Sequence, residues 1–463
     1  MPFRVGPALV FSLLAAAIAS AQELPRGTVI DKVVCARDQA QSYALYVPAG
    51  YSADREWPVI FAFDPGARGR VPVERFRDAA ERYGFIVAGS NNSRNGPMTV
   101  SIDAINAMHA DLRARFGLDA RRSYLTGFSG GARAAATVGL ALKGQAAGVI
   151  GFGAGFPDGV EPSASVPFVF FGAAGTDDFN YPELRQLDQA LERAGITHRL
   201  EVFAGGHEWP PAAVCTRAVE WMEIQAMKSG RRPRDAALIE QILSRTMADA
   251  ADHERAGRLL EAYWLYAALA KDFAGLRDVS ASADRARQLE QSREVRQGLT
   301  DLKTSVEKQA ALDARLDELA RAAGANAGDD RAVGDLLVAV GDVAKRADQD
   351  GRPAERMATR RVMVRWWSRF GEAASAAIAH GNFAQAAVCY RAMARLRPEN
   401  PSVEYNLACV CARNGDRREA IDALRRAVAK GFSDRNLLLN DPDLESLRGQ
   451  PAFRSILDSV EKR

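Results

Sequence analysis

Apolar and polar positions follow two different rhythms along this chain, and the change falls near Lys228. Before it, short apolar runs alternate with stretches at helical spacing. Ser42-Tyr-Ala-Leu-Tyr-Val47 alternates and stops at Pro48, which reads as a strand. Residues 58–63 are continuously apolar, the mark of a strand buried on both faces. Residues 73–83 carry helical spacing, ended by Gly84. The same logic predicts strands over 85–88, 123–126, 148–152, 167–171 and 198–203, with helices over 102–116, 132–142 and 183–194. Alternating strands and helices over 29–228 predict a mostly parallel sheet with helices on both faces.

Beyond Lys228 the pattern is different. Ser229-Gly-Arg-Arg-Pro-Arg-Asp235 is polar and basic and reads as an exposed linker. From residue 236 onward almost no strand pattern remains, and long Ala-, Leu-, Arg- and Glu-rich segments at helical spacing predict an all-α half. Gly381 and Gly415 stand 34 residues apart, and the same offset relates Ala386 to Ala420, Tyr390 to Leu424 and Met393 to Ala427, with Pro398 ending the first unit. A glycine at the turn, an alanine where helices cross and a proline after the second helix resemble the tetratricopeptide repeat, with units at 367–400 and 401–434. Gly257, Ala262, Tyr266 and Leu269 give a weaker echo, and residues 432–457 read as a terminal cap. A generic antiparallel helix array is the alternative. The expected division is 22–228 catalytic, 229–235 linker, 236–366 helical and 367–463 repeats with cap, the first and second halves being separable.

The chain has 463 residues, enough for two to four domains at roughly 100–200 residues each. With 47 % hydrophobic and 26 % charged residues it is not a disordered or fibrous sequence. Lys and Arg total 61 against 58 Asp and Glu, and so even a balance gives no general electrostatic reason to expect nucleic acid as partner. Five Cys without a C-x-x-C pair exclude a zinc ribbon. At the N-terminus, Arg4 precedes an apolar stretch over 8–18, too short for a typical membrane span, and Ala19-Ser-Ala21 supplies small residues for cleavage before Gln22. Residues 1–21 therefore read as a secretory signal peptide, and no other run approaches the ~18 apolar residues of a membrane helix. The expected location is periplasmic or secreted, where a disulfide persists. Cys35 with Cys215 is one arrangement; two separate buried thiols is the other.

Chemistry concentrates at Gly127-Phe-Ser129-Gly-Gly131, between a predicted strand and a predicted helix. That is the setting of a nucleophile elbow, in which flanking glycines let a serine sit on a strained turn. A serine hydroxyl needs a base. In this architecture the order is Ser, then Asp or Glu, then His. Downstream histidines are His198, inside a strand pattern, His253 and His380, in the helical half, and His207, in the glycine-rich loop Ala204-Gly-Gly-His207-Glu-Trp-Pro-Pro211. His207 is the expected base. Asp177 and Asp178 follow the strand at 167–171; Asp178 is favoured as the acid that orients His207, with Asp177 as the alternative. An oxyanion hole needs two N–H donors: Gly130 after the nucleophile, and Gly66 or Ala67 in the loop after strand 58–63, since Pro65 has none. Asn92 and Arg94, in the loop after strand 85–88, are candidate substrate contacts, or else members of a local turn network. Arg133 is either an anchor for an acidic substrate group or a surface ion pair.

On the elbow, the Asp177-Asp178 turn and the Gly205-Gly-His207-Glu-Trp-Pro segment, residues 29–228 resemble the α/β-hydrolase superfamily. The resemblance is to secreted esterases of the polyhydroxybutyrate-depolymerase and feruloyl-esterase type and to dienelactone-hydrolase-like proteins. It implies cleavage of a small-molecule or polymeric carboxylic ester through an acyl-serine intermediate, with no cofactor and no metal. The helical repeats imply a protein partner. The alternatives are a serine peptidase on the same fold and a scaffold acting through its repeats alone.

Overall fold

The computed structural model describes residues 24–157, 159–325, 327–349 and 351–461. The signal segment expected at 1–21 lies outside the described residues. Eight strands form one sheet: β1 (Val29–Val34), β2 (Ser42–Tyr46), β3 (Trp57–Phe63), β4 (Ile86–Ser90), β5 (Leu118–Phe128), β6 (Gly148–Phe152), β7 (Val169–Gly175) and β8 (His198–Phe203). Their order across the sheet is β1-β2-β4-β3-β5-β6-β7-β8. β2 runs antiparallel to both of its neighbours, and every other pairing is parallel.

Alternate residues of each strand feed two cores. Leu45, Phe61, Ile86 and Leu125 face helices α2 (Met98–Arg115), α3 (Gly130–Ala141) and α4 (Tyr181–Arg193) through Met108, Leu112, Ala135, Leu184 and Leu191. Tyr46, Ile60, Val87 and Phe171 face α1 (Arg70–Tyr83) and α5 (Ala212–Lys228) through Phe76, Ala80, Val214 and Met222. This is the mostly parallel sheet with helices on both faces that the alternation of strands and helices predicts, in the α/β-hydrolase strand order that the resemblance implies. β5 begins at Leu118, five residues before the predicted strand. Its first six residues are mostly polar and none is fully buried, so no continuous apolar run marks them. β1 is an edge strand with Asp31 and Lys32 exposed, which hides it for the same reason.

Cys35 and Cys215 are both buried, but each belongs to a different core, on opposite faces of the sheet. The arrangement is two separate thiols, not a disulfide.

The second half is helical: α6 (Ala236–Arg255), α7 (Leu259–Asp272), α8 (Ser280–Glu290), α9 (Arg293–Ala325), α10 (Asp330–Asp348), α11 (Pro353–Ala379), α12 (Phe383–Leu396), α13 (Pro401–Arg413), α14 (Arg417–Ala429), α15 (Arg435–Asn440), a 3-10 turn (Pro442–Leu447) and α16 (Pro451–Glu461). No described helix is long and apolar enough to cross a membrane. Gly381 and Gly415 both take left-handed backbone, and the following Asn382 and Asp416 cap α12 and α14 through their side chains. Leu438, Leu444, Leu447 and Phe453 close the end of the array against α13 and α14.

The halves are not tethered beads. Ile224 and Met227 of α5 are buried with Ile239, Ile242, Leu269 and Phe273 of α6 and the α7 end. Leu302 and Val306 of α9 pack on the core beneath α4. The segment expected as a free linker is pinned: Arg231 Nη1 donates to Arg121 O at 3.2 Å, Arg232 pairs with the buried Glu223, and Asp235 caps α6.

Candidate active site

The site sits at the carboxyl ends of β3, β5, β7 and β8. β5 ends at Phe128, and Ser129 turns the chain into α3 with φ 53° and ψ −124°. Such backbone costs a non-glycine residue about 1–3 kcal/mol, which the packing around it must supply. Gly127 and Gly131 explain how: a Cβ on Gly127 would strike the Gly131 backbone, and one on Gly131 would strike the Phe63 carbonyl. The Ser129 N–H donates to Phe152 O at 2.8 Å, fixing the elbow to β6. The half-buried hydroxyl therefore stands above the central strand, at the start of a helix.

His207 meets Ser129 from the loop after β8. Its Nε2 lies 2.9 Å from Ser129 Oγ, and its Nδ1 lies 2.8 Å from Asp178 Oδ1. With Nδ1–H donating to the carboxylate, Nε2 is left to accept from the hydroxyl. Asp178 is fully buried, and its Oδ1 also accepts the Asn180 N–H at 2.8 Å. The imidazole is held between two rings, Phe128 at 4.6 Å and Phe179 at 4.0 Å between centroids. Asp177 points elsewhere: its carboxylate faces Arg360 of α11 at 3.7 Å. Of the two adjacent acids, Asp178 is the one brought to the histidine.

A buried carboxylate ties the loops together. Asp64, at the end of β3, accepts from Gly66 N at 2.8 Å, Arg68 Nε at 2.9 Å, Arg68 Nη2 at 3.0 Å and Trp209 Nε1 at 2.7 Å. Burial pushes its carboxyl up, but the hydrogen bonds from Arg68, Trp209 and Gly66 outweigh it and hold the group below its ordinary range. Through Trp209, two residues past His207, Asp64 anchors the histidine loop.

The same contacts correct the expected second oxyanion donor. The Gly66 N–H is taken by Asp64, and the Ala67 N–H closes a turn on Asp64 O at 3.2 Å. Gly130 keeps its place after the nucleophile, and the Asn95 carboxamide lies against it, where a Cβ on Gly130 would collide with Asn95 Oδ1. Asn95 is held there by its own N–H to Pro65 O at 2.9 Å and by the Gly66–Arg94 bridge. Arg94 is exposed and enters the site only as backbone. Asn92 is not a substrate contact: its Oδ1 accepts Ser42 N and its Nδ2 donates to Ala40 O, both at 2.9 Å, so it clamps the start of β2. Arg133 pairs with Glu183 of α4. His198 is buried at the start of β8, with Nδ1 2.7 Å from Ile196 O.

Among the described residues, one cluster has ligand-like spacing, Cys409, Asp441 and Asp443 in the C-terminal cap. Its groups are already engaged: Asp441 takes the Tyr405 hydroxyl and Asp443 pairs with Arg413. It offers no vacant donor set.

Sequence reasoning missed Asp64, Trp209 and Phe179, and offered Asn95 only as one of the polar residues of the loop 90–96. What Trp209 and Asn95 touch is set by how the loops fold back. It also missed two residues of the helical half: Gln309 Nε2 donates to Phe179 O and Arg361 Nε to Thr176 O, each at 2.8 Å.

No protein-family model matches the chain, and no curated protein matches it. Among solved structures, a ferulic acid esterase aligns at 16 % identity and TM-score 0.36, covering 42 % of this chain and 97 % of its own. An S-formylglutathione hydrolase from Staphylococcus aureus aligns at 13 % identity and TM-score 0.32, covering 39 % and 90 %. The feruloyl esterase module from Clostridium thermocellum, complexed with sinapinate, aligns at 14 % and 0.35, covering 42 % and 85 %.

Proposed function

We propose that the protein is an exported serine esterase, with Ser129 as nucleophile, His207 as general base and acid, and Asp178 as its orienting carboxylate. The observation that carries this is the continuous chain Ser129 Oγ, His207 Nε2, His207 Nδ1, Asp178 Oδ1 at 2.9 and 2.8 Å on a strained elbow. Ser129 Oγ attacks the ester carbonyl carbon as its proton passes to His207 Nε2. The carbon–oxygen bond to the alcohol then breaks, and His207 returns the proton to the departing alkoxide. Water enters, gives a proton to His207 and adds to the acyl-serine; the acid leaves and Ser129 recovers its hydrogen. Asp178 stays ionised and stabilises the imidazolium. Gly130 N–H is one oxyanion donor, and the Asn95 carboxamide beside it can supply the second only through Nδ2, the amide atom lying farther from Gly130 than Oδ1.

The apolar stretch and small-residue site over residues 8–21 support export. The 34-residue units, which resemble tetratricopeptide repeats, support a protein-binding role for the far end of the helical half. There α10, α12, α13 and α14 border a groove of about 1160 Å³ lined by Leu337, Val338, Arg395 and Lys430.

Treating the purified chain with a fluorophosphonate probe tests the catalytic reading. Wild type should be labelled and should hydrolyse short-chain aryl esters. Ser129→Ala should do neither, and His207→Ala should lose on the order of 10³-fold or more in turnover. Labelling that survives in Ser129→Ala would remove the assignment.

A further inference from the structure

The turn that carries Asp178 is held from outside the hydrolase half. Thr176 O and Phe179 O bracket Asp177 and Asp178, and each accepts one hydrogen bond from the helical half. Arg361 Nε of α11 reaches Thr176 O, and Gln309 Nε2 of α9 reaches Phe179 O, both at 2.8 Å, across 185 and 130 residues of sequence. The Arg361 guanidinium also lies 4.0 Å over the ring of Tyr181, the first residue of α4, and its Nη1 donates to Ser305 Oγ of α9 at 3.1 Å. Gln309 fixes the carbonyl of the residue whose ring rests on the His207 imidazole.

Arg361 is an odd residue for a purely architectural contact. Its side chain is fully buried, it makes no ion pair among the described residues, and its Nη2 has no hydrogen-bond partner there. Burial works against its charge and lowers its pKa. Asp177 and Asp178 lie near enough to favour the charge, so the cost of burial is offset in part by the very turn that the guanidinium holds. What the guanidinium does hold is the acid turn, at its carbonyl and at the first ring of α4.

We propose that Arg361 and Gln309 are positioning residues for Asp178 and His207, so that the helical half completes the catalytic centre. The proposal rests on the reading of Ser129, His207 and Asp178 as the catalytic set. A displacement of about 1 Å in such a set can cost on the order of 10²-fold in rate, so two donors on the carbonyls flanking the acid are enough to matter.

The test uses the full chain and the variants Arg361→Met, Arg361→Lys and Gln309→Leu. Three readouts are taken: the second-order rate of fluorophosphonate capture, the low-field proton resonance of the His207 Nδ1–H bond to Asp178, and the thermal midpoint. Arg361→Met should slow capture about tenfold or more, and Gln309→Leu roughly threefold. Both should weaken or broaden the low-field resonance. Capture and the resonance are read well below each variant's thermal midpoint, so that a slowed rate in a folded chain reports positioning rather than lost stability. Arg361→Lys, which keeps the charge and a donor nitrogen, should recover part of the rate. Unchanged resonance with capture within about twofold of wild type in both Arg361→Met and Gln309→Leu overturns the proposal. If Arg361→Met does not fold, Gln309→Leu decides by the same two signals. If wild type resists the probe yet shows the resonance, and the variants lose it, the esterase reading fails while the positioning role stands.

Discussion

Asp177 and Asp178 are chemically identical neighbours that the fold turns to opposite tasks. Asp178 is buried against His207, whereas Asp177 is partly exposed beside Arg360. Only the carboxylate facing the imidazole fixes its tautomer and stabilises its cation. Asp178→Asn is therefore expected to lower kcat by on the order of 10³-fold or more, with Asp177→Asn within roughly tenfold of wild type. Steady-state rates on an aryl ester decide between them, and the reverse order would move the acid to Asp177. Asn95 is separable in the same way. If its carboxamide completes the oxyanion site, Asn95→Ala should lower kcat by about 10²-fold with little change in KM. Gly130→Ala, whose new methyl must push Asn95 aside, should lose a comparable factor. Because both changes act on one amide, the double variant should be scarcely worse than either single one, a non-additivity that a double-mutant cycle measures.

At the scale of elements, the site is made by loops that bind one another after the sheet has placed them. Asp64 at the end of β3 holds the Gly66–Arg68 turn with one oxygen and the indole of Trp209 with the other, so the first and last loops of the site move together. Since its native pKa lies below the unfolded value, its contribution to stability is present above about pH 4 and is lost as pH falls through the native pKa. Asp64→Asn should remove about 1.5–3 kcal/mol near neutral pH and flatten the acid side of the stability profile. Chemical denaturation at a series of pH values would show it, and an acid limb identical to wild type would assign the dependence to other carboxylates. This layering also explains what the sequence reveals. β6 falls on the predicted residues because a short apolar run marks its limits, and β8 because polar and apolar residues alternate along it. Ser129 is legible because the elbow cannot form without glycines at 127 and 131, a local steric demand written into adjacent positions. The choice of Asp178, the occupation of the Gly66 N–H and the clamp made by Asn92 depend on which way a loop folds back, which spacing does not encode. Gln309 and Arg361 have no local signature, because what makes them matter lies 130 and 185 residues away.

For the molecule as a whole, the basic composition of 229–235 suggests a cut point, whereas its contacts argue against one. The outer side of α5 is not a finished surface: Ile224 and Met227 are buried beneath α6 and α7, and Trp221 Nε1 donates to Asp272 at 2.8 Å. Arg199 of β8 reaches the same Asp272 at 3.0 Å, so a residue at the end of α7 serves both the edge strand and the last helix of the sheet. A fragment of residues 22–228 would expose this apolar side and lose the donors on Thr176 O and Phe179 O. It is expected to aggregate or, if soluble, to be captured by a fluorophosphonate about tenfold more slowly than the full chain. Limited trypsin digestion gives an independent view. Arg231 is hydrogen-bonded to Arg121 O and its neighbour Arg232 is paired with Glu223, so the native chain should resist cleavage after Arg231 although that bond falls in its most basic interhelical stretch; the next bond, Arg232–Pro233, is not a trypsin site. Rapid cutting there, releasing a fragment that ends at Arg231 with full probe reactivity, would instead establish two independent modules and leave the helical half free of any part in catalysis.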